Sequence, residues 1–411
     1  MTTQFPTPYP DETWYSLIVR YHKHSGNQYW TKTKLELFDQ KSIKVLNGIS
    51  FPCEMMRKVK AKYPDSFDLL DIALNHTLFS YTMRFQPLEK KTKDLNDYLN
   101  GMELNLRFLH HIKNEKEWSL RYCPICRQED IEKYGEPYWH AVHQIQLMPL
   151  CPIHRCRLIN APNKKPYYRY YFPVPEDGEP VFECTHYEPA LTDTLNTYLR
   201  LPYDVGPNTD TDNLARGMEN AGLLRDDILD KRVVDEAKLY EALVNFYPPE
   251  LVQAYFGDEI ADHQARHIKK FKIHSPEKYA LISTMLGLAP EAIFSEKPIP
   301  LRTEELFREL TESGYVYTDK QVARIVGVPE SRLKTFIERA GIEQFWLDSE
   351  ELSRHKENLV HKIVIRLTQE EDDILSEFMK ENAIELRSFA LYSILHKAVR
   401  DYQSSNYPEG P

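Results

Sequence analysis

Two short motifs each hold a pair of metal-binding side chains separated by two residues. Cys123 and Cys126 lie in the run RYCPIC, and Cys151 and His154 lie in the run LCPIHR. A CxxC or CxxH turn brings two side chains onto one ion, and a second such turn completes the tetrahedral set that Zn²⁺ takes. Because four protein ligands leave no open position, the spacing predicts one structural Zn²⁺.

Other sulfur and imidazole donors lie near these motifs. His140 and His143 fall between the two pairs and are alternative ligands to them. Cys156, Cys184 and His186 follow the second pair and could form part of a second site. Their spacing is irregular, and ordinary core or surface residues have the same pattern, so the sequence favours a single ion.

Motifs for catalysis are absent from the sequence. It contains no G-x-x-x-x-G-K-[ST] phosphate loop, no H-E-x-x-H and no G-x-S-x-G. A zinc hydrolase would need an open metal position and a nearby general base, and the paired Cys and His ligands supply neither. We therefore predict that the chain is not an enzyme.

Composition restricts the partners and the compartment. The chain has 411 residues and a net charge of −10. A protein that coats nucleic acid would be basic, so contact with DNA must be local, and the acidic surface suits protein partners. No run of about 18 apolar residues predicts a membrane span, and the start of the chain does not resemble a signal peptide. Cysteines in metal-like spacing indicate a reducing cytoplasm.

Helical periodicity dominates the chain, and the low glycine content agrees with it. We predict a mainly α, multi-domain helical protein with a small inserted zinc ribbon and a C-terminal strand–helix–helix unit. The predicted domains are an N-terminal helical domain with an extended arm (1–120), the zinc ribbon with a connector (121–190), a helical domain (191–300), a helix-turn-helix-like unit (301–350) and a ribbon-helix-helix-like unit (360–403).

Residues 318–342 have the pattern of a helix-turn-helix. Thr318 or Asp319 suits the cap of a first helix, Ala323 is small where two helices would cross, and Gly327 suits a left-handed turn. The exposed face of the second helix would present to DNA the side chains of Arg332, Lys334, Thr335 and Arg339. A plain helical hairpin is the alternative, and acidic residues on the same helix favour that alternative.

The C-terminal unit has a different pattern. One face of residues 362–367 is apolar, because Ile363, Ile365 and Leu367 alternate with Lys362, Val364 and Arg366, and this pattern predicts a strand. Thr368 with Glu371 forms a capping box that opens a helix. Strand–helix–helix modules of this size resemble ribbon-helix-helix proteins. In that arrangement Lys362 and Arg366 would point at DNA and the chain would form a homodimer. A C-terminal cap or a dimerisation unit without DNA contact is the alternative.

Three separated segments, in order, resemble one family over about residues 5–160. They read FPTPYPDETWYSLIVRYHKHSG, NHTLFSYTMRF and RYCPICRQEDIEKYGEPYWHAVHQIQLMPLCPIHRCRLI. The chain resembles the TniQ/TnsD proteins, which select target sites for multi-component cut-and-paste transposons. Many relatives carry a second cysteine pair after the first ribbon, whereas only Cys156 and Cys184 remain here.

The resemblance implies an adaptor of the bacterial cytoplasm. Such a protein binds double-stranded attachment-site DNA directly, or docks on an RNA-guided CRISPR effector complex. It then recruits an AAA+ ATPase, which passes the signal to the transposase complex. The four zinc ligands would stabilise the central fold. The arm and first helix would contact the ATPase, through residues that include Tyr9, Asp11, Glu12 and Arg20.

Overall fold

The computed structural model describes residues 4–41, 53–102, 119–161, 173–176, 178–226, 232–272, 275–347, 365, 367–382, 384 and 386–406. It is 56% helix and 4% strand, which confirms the predicted mainly α class. The chain folds into two compact units, Met1–Ile299 and Pro300–Pro411. Within the described residues, no helix combines the length and the apolar character needed to cross a membrane.

The first unit begins with an extended arm and a group of short helices. The helices are α1 (Trp14–His24), α2 (Trp30–Phe38), α3 (Cys53–Lys62), α4 (Leu69–Asn75), α5 (Phe79–Thr82) and α6 (Leu88–Leu99). Thr13 caps α1 by accepting a hydrogen bond from the Ser16 N–H at 3.1 Å. The arm is anchored by Phe5, whose ring packs against Trp14 and Tyr21 in the buried core.

A small ribbon follows these helices. It consists of strand β1 (Arg121–Tyr122), helix α7 (Pro124–Tyr134), a 3₁₀ turn (Val142–Gln144) and strand β2 (Ile159–Asn160). The two strands pair antiparallel, with Tyr122 opposite Ile159. Pro124 opens α7, where its missing N–H costs nothing, and Gly135 ends it in the left-handed conformation. The strand pair therefore closes the ends of the segment that carries the Cys and His motifs.

The rest of the first unit is a second helical group. Its elements are α8 (Glu188–Arg200), α9 (Asn213–Asn220), β3 (Leu224–Asp226), β4 (Arg232–Val234), α10 (Glu236–Phe246), α11 (Pro249–Phe256), α12 (Asp262–Lys269) and α13 (Pro276–Met285). Helix α8 packs against α13. The buried Arg84 donates hydrogen bonds to four carbonyls at the end of α8 and beyond, those of Tyr198, Leu201, Pro202 and Val205. This cation holds the two helical groups together.

The second unit contains five α-helices within its described residues. They are α14 (Arg302–Glu312), α15 (Asp319–Val326), α16 (Leu333–Ala340), α17 (Gln369–Glu381) and α18 (Arg387–Asn406), with a 3₁₀ turn (Glu330–Arg332) before α16. Thr318 and Gln321 form a capping box at α15, and Gly327 ends that helix with φ of 75°. Ala323 and Leu333 are both buried, so α15 and α16 share one apolar core with α14.

The last two helices pack on the segment that precedes α15. The N–H of Val316 donates to Ser393 Oγ at 3.0 Å, and that hydroxyl donates to the Val316 carbonyl at 3.1 Å. The ring of Tyr315 lies edge-on to Phe378. The predicted strand residues Lys362 and Arg366 lie outside the described residues. The capping box of Thr368 and Glu371 opens α17.

Candidate metal centre

The ribbon brings together the four side chains of the paired motifs. Cys123 lies between β1 and α7, Cys126 lies in the first turn of α7, and Cys151 and His154 lie on the turn that leads towards β2. Their ligand atoms all lie within 4.8 Å of one another. The three sulfurs are buried. This group could therefore hold a metal ion.

The interatomic distances match a tetrahedral ion. His154 Nδ1 lies 3.4, 3.3 and 3.7 Å from the sulfurs of Cys123, Cys126 and Cys151, and the Cys126 and Cys151 sulfurs are 3.6 Å apart. Zn–S bonds of about 2.3 Å and a Zn–N bond of about 2.1 Å give S···N edges of about 3.6 Å and S···S edges of about 3.8 Å. These four separations are therefore close to the spacing that this ion needs.

The backbone supports the sulfurs in the same way in both motifs. The Cys126 N–H points at the Cys123 sulfur at 3.4 Å, and the His154 N–H points at the Cys151 sulfur at 3.5 Å. Hydrogen bonds from the neighbouring thiols of Cys126 and Cys151 lower the pKa of the Cys123 thiol. The site therefore favours a thiolate, which is the form that binds metal.

Glu129 orients the histidine. Its Oε1 lies 3.1 Å from His154 Nε2, so the ring donates its Nε2–H to the carboxylate and directs Nδ1 towards the sulfurs. Glu129 lies outside the motifs that predict the metal ligands. One signal was present, because Glu129 stands three residues after Cys126 and the two share a face of α7.

The remaining donors near the motifs do not join this group. His143 is buried, which lowers its pKa and keeps it neutral, and its Nε2 lies 4.0 Å from the Cys126 sulfur. Cys156 is buried against Cys123, whereas Cys184 is exposed and His186 packs edge-on to Phe246. Among the described residues, no second group of Cys, His and carboxylate donors comes together to hold a metal.

Comparison with known proteins agrees with this part of the fold. The TniQ family profile matches residues 3–158, which contain the arm, the first helices and the metal centre. Residues 3–158 of the chain are therefore a TniQ domain. Transposon Tn7 transposition protein TnsD of Escherichia coli is 22% identical over 157 residues. That match covers 36% of this chain and spans only 30% of the relative's length. The predicted resemblance to TniQ/TnsD proteins is confirmed over these residues.

Within the TniQ domain, Arg20 ties the arm to the ribbon. Its guanidinium lies 2.7 Å from Glu12 and 2.9 Å from Glu136, and it stacks 3.6 Å above the centre of the Tyr9 ring. Tyr9 in turn stacks on Tyr134 at the end of α7. We call these five residues the arm clamp. Glu12 and Arg20 are 0% and 6% exposed, so the clamp is an internal structure.

A second link joins the arm of the TniQ domain to α7. His140 lies 3.0 Å from Asp130 on α7 and 3.7 Å from Asp11 on the arm. Burial opposes the charged form of His140, but the two carboxylates outweigh it and raise its pKa to about 9. Arg200 also pairs with Asp11 at 2.9 Å. Tyr9, Asp11, Glu12 and Arg20, which the sequence predicts to meet a partner, all form contacts within the first unit, and their contact with a partner stays a prediction.

Outside the TniQ domain, the predicted DNA-contacting residues are placed as follows. Lys334 and Thr335 are exposed on α16, and Arg332 is half-buried in the preceding 3₁₀ turn. The side chains of Arg339, Lys362 and Arg366 lie outside the described part of the chain. The structure therefore shows two exposed side chains of the set on one helix.

Proposed function

We propose that this protein selects target sites for DNA transposition, binding attachment-site DNA and recruiting an AAA+ ATPase. The TniQ match over residues 3–158 carries this proposal, together with the likeness to a Tn7 transposition protein. The chain spans only part of that relative, so target choice and partners are proposed from the architecture of this chain. Three features of its described residues support the proposal.

The first feature is the metal centre, for which we propose one structural Zn²⁺. Three sulfurs and one imidazole nitrogen are the donors that structural zinc sites use, and a bound zinc would supply folding free energy. The ion would hold Cys123 and Cys126 on α7 against Cys151 and His154. Because α7 also carries Asp130 and Tyr134, the same ion would position the arm. This arrangement is that of a scaffold and not of a catalyst.

The second feature is the hairpin of α15 and α16. Leu333 and Ile337 are buried on one side of α16, whereas Lys334 and Thr335 are exposed on the other. A helix held in this way can enter a major groove with its exposed face towards the bases, as in helix-turn-helix proteins. We propose that α16 reads the attachment site. Because the chain is acidic overall and its cations on this helix are few, its non-specific binding to DNA would be weak.

The third feature is the outer surface of the arm. Gln4, Thr7 and Pro10 are exposed, whereas the clamp side chains point inward. We propose that the ATPase contacts this outer surface. The clamp would then act indirectly, by holding the arm in one conformation.

A second candidate function is docking on an RNA-guided effector complex with little DNA specificity of its own. The net charge of −10 favours it, because an acidic surface is better suited to a protein partner than to DNA. In this case the ATPase contact would be unchanged, and the targeting information would come from the guide RNA.

Binding of the purified full-length protein to a genomic DNA fragment pool at about 150 mM salt separates the two candidates. Enrichment of one sequence would support direct reading of an attachment site. No enrichment would remove direct reading and leave the effector-docking candidate, which co-purification with a guide-RNA complex would then test.

If α16 reads DNA, the double substitution Arg332→Ala with Lys334→Ala should weaken binding to the enriched sequence. Each lost phosphate contact should reduce the slope of log K against log salt by about 0.9. Lys380→Ala, an exposed lysine on α17, is the matched control and should change neither quantity. An unchanged slope in the double variant would exclude α16 from the interface.

A further inference from the structure

The metal centre contains a fifth donor that the tetrahedral set does not use. Cys156 is buried, and its sulfur lies 3.3 Å from the sulfur of Cys123. The turn that begins at Cys151 closes at Cys156, whose carbonyl accepts a hydrogen bond from the Cys151 N–H at 2.8 Å. The turn that supplies Cys151 and His154 therefore also packs a second cysteine, Cys156, against a ligand from the other motif.

Geometry places Cys156 outside the ligand set. The four donors that lie within 4.8 Å of one another are Cys123, Cys126, Cys151 and His154, and Cys156 is not among them. The Cys156 sulfur contacts one member of the set, the Cys123 sulfur, at a distance suited to an S–H···S hydrogen bond.

The bonding capacity of the two sulfurs agrees with this placement. A cysteine outside the ligand set carries an S–H group, which can donate a hydrogen bond, whereas a metal-bound thiolate can only accept one. The separation of 3.3 Å between the two sulfurs therefore suits donation from Cys156 to Cys123.

We propose that Cys156 is a positioning residue of the metal centre, whose S–H donates a hydrogen bond to the metal-bound sulfur of Cys123. This inference rests on the proposed zinc site. The hydrogen bond withdraws electron density from that sulfur and fixes its direction, as outer-shell partners do at other metal sites. Glu129 would do the same for His154, so the two motifs would each have one supporting residue.

Cys156→Ala and Cys156→Ser test the proposal in the full-length protein. The two residues are similar in size, but only serine retains a donor. Zn²⁺ affinity is measured by competition with a chromogenic chelator, with Cys184→Ala as the control because Cys184 is exposed. We expect Cys156→Ala to bind zinc 10- to 100-fold more weakly, a range typical of lost outer-shell partners. The Zn²⁺ affinity of Cys156→Ser should lie closer to that of the wild type, and the affinity of Cys184→Ala should equal the wild-type value.

Co²⁺ substitution supplies a readout that packing alone would not change. Removal of the hydrogen bond leaves the Cys123 thiolate richer in electrons, so its sulfur-to-cobalt charge-transfer band should move to lower energy in Cys156→Ala. Cys156→Ser should restore the band towards its wild-type position. The intensity should remain that of three sulfur ligands in every variant.

Different results would refute the metal site and the donor role of Cys156. Failure of the wild type to bind Zn²⁺ or Co²⁺ would refute the proposed metal site itself. A wild type that binds metal beside an alanine variant with the same affinity and band position would refute the donor role alone. If Cys156→Ala and Cys156→Ser weakened Zn²⁺ binding equally and the cobalt band did not shift, Cys156 would act through packing and not as a hydrogen-bond donor. Four-sulfur intensity that survives His154→Ala would make Cys156 a ligand and not a donor.

Discussion

Replacement of Arg20 with methionine tests whether the arm clamp holds the TniQ domain together. Methionine keeps an unbranched apolar stem but removes the cation that lies 2.7 Å from Glu12 and 2.9 Å from Glu136. Removal of one partner of a buried pair costs about 3–5 kcal/mol, because the other charge stays buried. With about 1.36 kcal/mol per tenfold, the open arm should become about 10²- to 10⁴-fold more populated.

Amide hydrogen exchange measures this opening directly. The Thr13 N–H donates to the Trp139 carbonyl at 2.8 Å, and the Trp14 N–H donates to the His76 carbonyl at 2.8 Å. Both hydrogen bonds tie the junction of the arm and α1 to other parts of the domain. The amide hydrogens of Thr13 and Trp14 should therefore exchange faster by the same factor in the variant. Arg155→Met is the matched control, since Arg155 forms an exposed pair with Asp193 that should be worth at most about 1 kcal/mol.

The defect should also depend on pH. Burial raises the pKa of Glu12 from its usual 4.5 to about 7 even though Arg20 opposes this. A carboxyl with a raised pKa binds its proton more tightly in the folded state. Its contribution to stability is therefore complete below about pH 4.5 and is lost as the pH rises through 7. Neutral Glu12 needs no cation, so Arg20→Met should have a smaller effect at pH 5 than at pH 8. An effect should remain at pH 5, because Glu136 stays ionised there: burial opposes its charged form, but its polar partners, Arg20 first among them, outweigh burial and lower its pKa.

Two outcomes would refute this reasoning. If Arg20→Met exchanged no faster than Arg155→Met at pH 8, the clamp would not hold the arm. If the defect were the same at pH 5 and pH 8, the buried charge of Glu12 would not be its cause.

Three further predictions follow from the same structure. Cys126→Ser should lose bound metal and unfold the ribbon, because metal-binding free energy is folding free energy; soluble, metal-free and fully folded protein by circular dichroism would contradict this. Glu129→Gln should weaken zinc binding 10- to 100-fold in a chelator competition while stoichiometry stays at one, and unchanged affinity would exclude a role for Glu129 in orienting the ligand. Ser393→Ala leaves the N–H and carbonyl of Val316 without their partner, so urea unfolding should show a loss of about 1–3 kcal/mol from the second unit.

Local patterns made the helices and the metal group predictable. A CxxC or CxxH turn sets two ligands within one turn of backbone, so residues 123–126 and 151–154 could be recognised without knowing the fold. The capping boxes at Thr318 and Thr368 are equally local, because each joins residues three apart. The family likeness also depended on short runs of residues around these positions.

The partners of the buried charged and polar groups could not be read from the sequence. Arg20 and Glu136 are 116 residues apart in the chain, and Val316 and Ser393 are 77 apart. The sequence suggested that residues 9–20 face a partner, whereas the fold pairs Glu12 and Arg20 with each other and with the ribbon. Nothing in the spacing of those residues distinguishes the two arrangements, since a charged residue near a helix start suits both.

The sequence by itself determined the likeness to TniQ/TnsD proteins, the mainly helical class and the residues able to bind a metal, because each depends on periodicity or on short motifs of a few residues. Tertiary structure alone decided which sulfur lies outside the ligand set, which carboxylate orients His154 and which cation holds the arm. Those choices depend on distances between segments far apart in the chain, and chain folding is what sets such distances.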